Sequence, residues 1–434
     1  MASVLRPRWL VLVLLLIFAG IHLQYVCKLT HSQSSNRSAF LRWRPQLLQL
    51  NEGVNVWEKY AYPNPPIMAL ILSPYVQLSP LCGSTLWFAT KALLAILAIF
   101  LVLSLLDSPE QPFPLWGKLL AIGLSLRPIE GDLVHGNVNL FLLFLVMASI
   151  YAFSQKRQYT AGLLLALSIA CKLTPALFLA YYLWRRAWQT LLAAAVGLVL
   201  FVLAIPASVF GWSNNLDYLA SWHQQMIAPY AAGMVTSEHK NQSLPGLLYR
   251  MLSEEPSFSD YVGTQKIVQQ THNLVCWEHT TVQLIIVGCM IAFVGLSMRY
   301  CLAGPTSRPN WQLLAECSVV ILGMLLFCER TWKHHCVTLL LPFSVAAYGL
   351  AVPTLGRALR CYLAITLVAS VALMLATSSG HVDADVPAQE RWGKWAQVYG
   401  AYVWVFLLLL ASMCVLLASV RKNLPLPFCQ LRLP

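Results

Sequence analysis

Apolar residues in this chain come in long runs rather than in alternation. Residues 9–26, 84–106, 133–153, 159–184, 187–210, 281–298, 312–328, 336–352, 360–376 and 397–420 are long enough, or nearly so, to cross ~30 Å of hydrocarbon. Two shorter runs, 67–81 and 118–126, are ambiguous between a span and an interfacial segment. Backbone groups in lipid must bond within their own segment, so the runs predict helices. The expected fold is an all-α, polytopic integral membrane protein with about ten to twelve transmembrane helices. Arg6 and Arg8 precede the first run, which lacks a clean A-x-A exit and reads as an uncleaved signal-anchor. No internal repeat or low-complexity linker divides the chain. Residues 1–434 therefore read as a single membrane-embedded domain with two polar loops, 28–66 and 210–280.

Composition narrows the class further. With 58% hydrophobic and 11% charged residues, the chain has too little polar surface to cover a water-soluble core. The excess of 29 Lys and Arg over 17 Asp and Glu, a net +12, would suggest nucleic acid in a soluble protein. Here the cations sit in short clusters between apolar runs and act as an orientation signal, so no nucleic-acid partner is expected. Arg6/Arg8, Lys156/Arg157, Arg185/Arg186, Arg299 with Arg308, Arg357/Arg360 and Arg421/Lys422 should be cytoplasmic. Residues 28–66, 210–280, 329–335 and 377–396 then face the other side. One run, 159–184, separates two basic pairs that both ask to be cytoplasmic. It must fold back on itself, and Lys172-Leu173-Thr174-Pro175 in its middle is the natural break. Of the 12 cysteines, none stands in a CxxC or Cys/His zinc spacing.

The polar clusters carry the candidate chemistry. Lys172 lies mid-run, where an unpaired charge costs on the order of 3 kcal/mol, and a functional lysine there would hold an anionic group. Arg127, Glu130, Asp132, His135, Asn137 and Asn139 crowd the mouth of an apolar helix around Gly136, with amides suited to sugar hydroxyls. Glu329-Arg330-Thr331-Trp332-Lys333-His334-His335 stands between two runs, where His could neutralise a phosphate or shuttle a proton. Asn241 and Gln242, in NQSLPG at 241–246, form a further polar cluster.

In order along the chain, HGNVN at 135–139, AGLLLALSIACKLTP at 161–175, NQSLPG at 241–246 and ERTWKHH at 329–335 resemble glycosyltransferase family 87. The likeness extends to the first loop, with Gly53 and YPNPP at 62–66, and covers most of residues 10–355. It implies the glycosyltransferase-C architecture and an inverting transfer of a sugar, mannose in many members, from a polyprenyl-phosphate donor to a glycan or glycolipid acceptor. The same resemblance implies the plasma membrane of a bacterium, with the active site facing outward. Lys172, His334, His335 and Arg330, with Lys333, would take the donor phosphate. His135, Asn137, Asn139, Asn241 and Gln242 would contact sugar or acceptor. Neither a cofactor nor a metal is expected, since a lipid phosphate already leaves as an anion that protein cations can hold.

The chain departs from the family pattern at the base. Where family members carry a catalytic Asp in the first loop, this chain reads Ser34-Ser35-Asn36-Arg37-Ser38-Ala39-Phe40. Asp132, then Glu130, then Glu52 are the candidates to replace it: the first two because neighbouring acids beside Arg127 and His135 split their pKa values as acid/base sites do, and Glu52 because the amphipathic stretch Leu47-Leu48-Gln49-Leu50 before it can aim a carboxylate inward. Two other readings stay open. A polytopic transporter or lipid flippase would also use a broken helix and an intramembrane Lys. An inactive relative that only binds lipid-linked sugar would explain the missing Asp.

Overall fold

The structure is a computed structural model and describes residues 7–31, 38–262, 265–304, 308–352, 355–378 and 392–421. The chain starts with α1 (Pro7–His31), and its first loop then folds into α2 (Ala39–Leu50), α3 (Val56–Tyr60) and α4 (Pro66–Val76). Trp43, Trp57, Tyr62 and Met68 bury together in this loop, and Trp57 donates its Nε1–H to the Asn64 carbonyl at 2.7 Å. Thus residues 38–66 of the polar first loop are a packed cap. Next come α5 (Pro80–Leu106), α6 (Leu115–His135) and α7 (Asn139–Ser154). The ambiguous run 118–126 is the first half of α6, which continues through the polar residues 127–135 as one helix of 21 residues. Consequently the expected span 133–153 is divided: Gly136, at φ +72°, ends α6, and α7 begins at Asn139.

The run 159–184 is broken where expected. α8 (Gln158–Cys171) stops at Lys172, whose backbone is extended, and one 3₁₀ turn, Thr174–Ala176, leads into α9 (Leu177–Trp184). α10 (Trp188–Leu198) then packs along α8 in parallel, with Gly162 against Thr190, Ala193 and Ala194, and Gly197 against Ala166. Gly162-x-x-x-Ala166 and Ala193-x-x-x-Gly197 are small-residue pairs one turn apart, and they let the two backbones approach. Parallel packing puts the starts of both helices, and so both basic pairs, at one end of the bundle. Each pair sits in the same left-handed turn, at Lys156 (φ +61°) and Arg186 (φ +54°). Glu316 gathers Arg185, Arg308, the Tyr181 hydroxyl and the Leu302 N–H at that end, so the 299–308 cluster converges there too. α7 runs from this end to Asn139, about 22 Å away at ~1.5 Å per residue.

α10 passes through a π-helical stretch, Val199–Ala204, into α11 (Ile205–Phe210). The long loop then forms α12 (Trp212–Trp222), α13 (Ala228–Ala231), α14 (Leu244–Leu252) and a hairpin of β1 (Phe258–Val262) with antiparallel β2 (Gln265–Gln270). That hairpin is the exception to the all-helical expectation. It forms where Ser, Tyr, Val and Gln alternate without a helical apolar stripe. The remaining helices are α15 (His279–Tyr300), α16 (Asn310–Leu326), α17 (Leu340–Ala351), α18 (Arg357–Ala376), α19 (Trp392–Val398) and α20 (Ala401–Arg421). Among the described residues 6 helical stretches are long and apolar enough to cross a membrane, and further apolar helices of 10–17 residues include α7, α8 and α16.

If the Lys172 break returns the chain to its starting side, single cysteines at Gln155 and Gln189, introduced after removal of native thiols, will label with an impermeant reagent from the same face of sealed vesicles. Labelling from opposite faces would contradict the parallel packing of α8 and α10.

Candidate active site

The ends of α6 and α7 meet around Asp132. This carboxylate is fully buried: Oδ2 lies 3.3 Å from the Lys91 ammonium and Oδ1 accepts from the Asn139 amide at 2.9 Å. Lys91 also donates to the Asp132 carbonyl at 2.6 Å. Asn139 turns its other amide atom, Oδ1, to the Lys172 ammonium at 2.9 Å. Lys91, Asp132, Asn139 and Lys172 thus form one relay across α5, α6, α7 and the end of α8. Lys172 and His335 line a small internal cavity of about 40 Å³, room for only a few waters.

A larger cleft of about 320 Å³ opens beside this relay and is lined by Tyr25, Ser38, Arg127, Glu130, His135, Lys333 and Tyr402, among others. Glu130 and Arg127, one turn apart on α6, pair at 3.1 Å on its rim. Lys333 donates to the Thr377 carbonyl at 2.6 Å while facing the cleft. Ser38, in the stretch where the family pattern has its Asp, caps α2 and lines the cleft. Close contact between the two segments needs Gly136, because a Cβ there would meet the Ser38 hydroxyl at 2.7 Å. Behind the cleft, His135 stacks on His334 at 4.4 Å, and His334 meets His335 edge-on at 4.7 Å. Asn137 places its amide 3.1 Å from His334 Nε2. A row of three imidazoles therefore leads from the cleft to the Lys172 cavity. Two cations, a carboxylate and imidazoles around one space can hold a phosphate and accept a proton.

A model of glycosyltransferase family 87 matches residues 62–328, more than half of the chain. The chain belongs to glycosyltransferase family 87. Its similar proteins include a polyprenol-phosphate-mannose-dependent alpha-(1-2)-phosphatidylinositol mannoside mannosyltransferase of Mycolicibacterium smegmatis, 28% identical over 327 residues, 70% of this chain and 67% of the relative. The Mycobacterium tuberculosis protein of the same name is 26% identical over 355 residues, 78% of this chain and 73% of the relative. An alpha-(1->3)-arabinofuranosyltransferase of Corynebacterium glutamicum is 26% identical over 204 residues, 45% of this chain and 46% of the relative. No solved structure matches. Family membership makes this membrane protein a glycosyltransferase.

The family-87 chain does not bring all the expected residues to the cleft. Asp132, the first-ranked base, has both oxygens engaged inside the protein, so it is a partner of buried lysines. Glu130 reaches the cleft, whereas Glu52 is exposed on the turn after α2 and away from it. Arg330 lies outside the cleft lining and pairs with Glu329 at 3.4 Å. Asn241 and Gln242 are scaffolding: Asn241 bonds Thr236, Glu329, Ser243 and Thr331 backbones, and Gln242 bonds those of His239, Gln397 and Tyr402. Both side chains are fully buried and all their amide hydrogens go to backbone carbonyls, so neither can donate to a sugar. Residues 32–37 lie outside the described residues, so most of the acid-free stretch of the first loop does too. Lys91 was the missed participant. Lys91 carried a legible signal, a lone cation in the run 84–106.

Removing one partner of the Lys91–Asp132 pair strands a buried charge, so Lys91→Met should cost about 3–5 kcal/mol of stability. Adding Asp132→Asn should restore much of the loss, as thermal melts in detergent would show. A second expectation concerns pH. His239 sits in the Asn241 scaffold with Nδ1 3.2 Å from the Ser257 carbonyl and Nε2 3.3 Å from Lys394, and burial together with Lys394 pushes its pKa down to about 3. Below an unfolded pKa near ~6.5 the unfolded chain takes up a proton that the folded chain refuses, so stability falls as pH drops from there towards 3. At pH 5 this amounts to about 2 kcal/mol. His239→Asn should flatten the loss between pH 7 and 5 relative to wild type, even if its melting point at pH 7 is lower.

Proposed function

We propose that this chain transfers mannose from a polyprenyl-phosphate donor to a hydroxyl of a glycan or glycolipid, with inversion, at the outer face of a bacterial plasma membrane. The observation that carries the reading is the cleft, where Arg127 and Lys333 face the same space as Glu130 and His135. The names of the mycobacterial relatives support the donor and the acceptor class. Orientation is supported by the separation along α7, which keeps the cleft at the end of the bundle opposite the basic turns.

In this mechanism Lys333 holds the donor phosphate, over His135 and His334, while Arg127 orients the Glu130 carboxylate. Glu130 accepts the proton of the acceptor hydroxyl as its oxygen bonds the anomeric carbon. The bond from that carbon to the phosphate oxygen breaks, and its electron pair leaves on polyprenyl phosphate. Attack from the face opposite the phosphate inverts the centre. Lys172 adds positive charge behind the imidazole row, and neither it nor His335 touches the donor. A second reading, a lipid-linked-sugar binder without transfer, is favoured by Ser38, rather than an acid, standing on the cleft at the start of α2.

Glu130→Gln should lower turnover by about 10²-fold or more while donor binding is retained, and Lys333→Met should weaken donor binding. Normal turnover of Glu130→Gln would remove Glu130 from the role of base. Wild-type protein that binds polyprenyl-phosphate mannose and never transfers it would favour the binder.

A further inference from the structure

A second cavity, of about 520 Å³, lies on the first-loop cap, between the turn after α2 with α3 and the outer face of α12. Asn214, Asp217, Ser221, Gln224 and Gln225 stand at helical spacing along α12 and its continuation, and Glu58 faces them from α3. The opposite side of α12 exposes Trp212 and Leu216, so the helix is amphipathic and its polar side is the one turned to the cavity. Asn55 fixes the wall by donating to the Ser221 hydroxyl at 2.8 Å, and Tyr218 packs on Trp57 at 4.9 Å as its floor.

The chemistry of the lining is selective. In a protein of net charge +12, this cavity is lined, among the described residues, by carboxylates, carboxamides and hydroxyls and by no Lys or Arg. Such a wall repels a phosphate and offers paired donors and acceptors to vicinal hydroxyls of a neutral sugar. Its volume lies in the range of small-ligand sites. α2 separates it from Ser38 and the cleft, a distance of about 17 Å at ~1.5 Å per residue. A sugar held here is therefore not the one that reacts.

We propose that this groove binds the neutral glycan part of the acceptor, several sugar units away from the hydroxyl that is glycosylated. The inference rests on the transferase reading for its role, and the binding itself is testable without turnover. Purified full-length protein in detergent would be titrated with an α-linked mannobiose, with binding followed by saturation-transfer NMR. The expected result is saturable binding that Glu58→Gln with Asp217→Asn weakens about tenfold or more, that inorganic phosphate does not displace, and that Glu130→Gln in the cleft leaves unchanged. Absence of saturable binding, equal binding by the groove variant, or displacement by phosphate would overturn the proposal. If the protein turns over, the groove variant should raise KM for a long glycan acceptor with kcat and donor KM unchanged; an unchanged acceptor KM would also overturn it. Sugar binding without any turnover would leave the groove standing and remove the transferase reading alone.

Discussion

Two ammonium groups in the bundle, the fully buried Lys91 and the half-buried Lys172, are tied to one carboxylate, and the arrangement around the cleft depends on that tie. A cation in a low-dielectric interior persists only when paired or hydrogen-bonded. Asp132 meets Lys91 directly and reaches Lys172 through the two ends of the Asn139 amide. The same contacts fix the C-terminus of α6, the first residue of α7 and the broken end of α8. His135 and Glu130 on α6, and Asn137 in the turn, are positioned by this joint.

Spending Asp132 on the lysines has a chemical consequence. A carboxylate with both oxygens engaged by cation and amide is poorly placed to collect a proton from an incoming hydroxyl. The acid that faces open space is Glu130, two residues earlier on the same helix, with Arg127 beside it. Adjacent acids on α6 thus divide the work: one neutralises the interior and one lines the cleft. The imidazole row between cleft and Lys172 cavity follows from the 3₁₀ turn at Lys333–Leu339, which sets His334 against His135 and leaves His335 behind it.

The returning segment α8–α9 shows a different constraint. Lipid tails give no hydrophobic drive between helices, so close packing of α8 on α10 relies on Gly162 and Gly197 meeting small partners. At the Lys172 break, Asn139 holds the lysine ammonium and Pro175 is buried, while Leu173 stays exposed. The Lys156 and Arg186 turns hold their cations at the opposite end, with Glu316 bridging Arg185 and Arg308.

Much of this was legible in the chain itself. Run length and the absence of water-compatible composition determine helices in a membrane, since no other structure satisfies backbone groups there. Basic pairs flanking a single run, with Pro175 in its middle, require the fold-back. The ordered motifs from HGNVN to ERTWKHH identify the family. Which polar residues meet was not legible, because a buried polar group is defined by its partner and partners lie far apart in sequence. Asn241 and Gln242 resembled sugar ligands until Thr331, Gln397 and Tyr402 claimed their amides. From the sequence Asp132 ranks above Glu130 as the candidate base, two residues away. A helix turns about 200° over that interval, so one carboxylate points into the bundle and the other into the cleft. Only the tertiary packing, by putting Lys91 on the inner side, decided which was which.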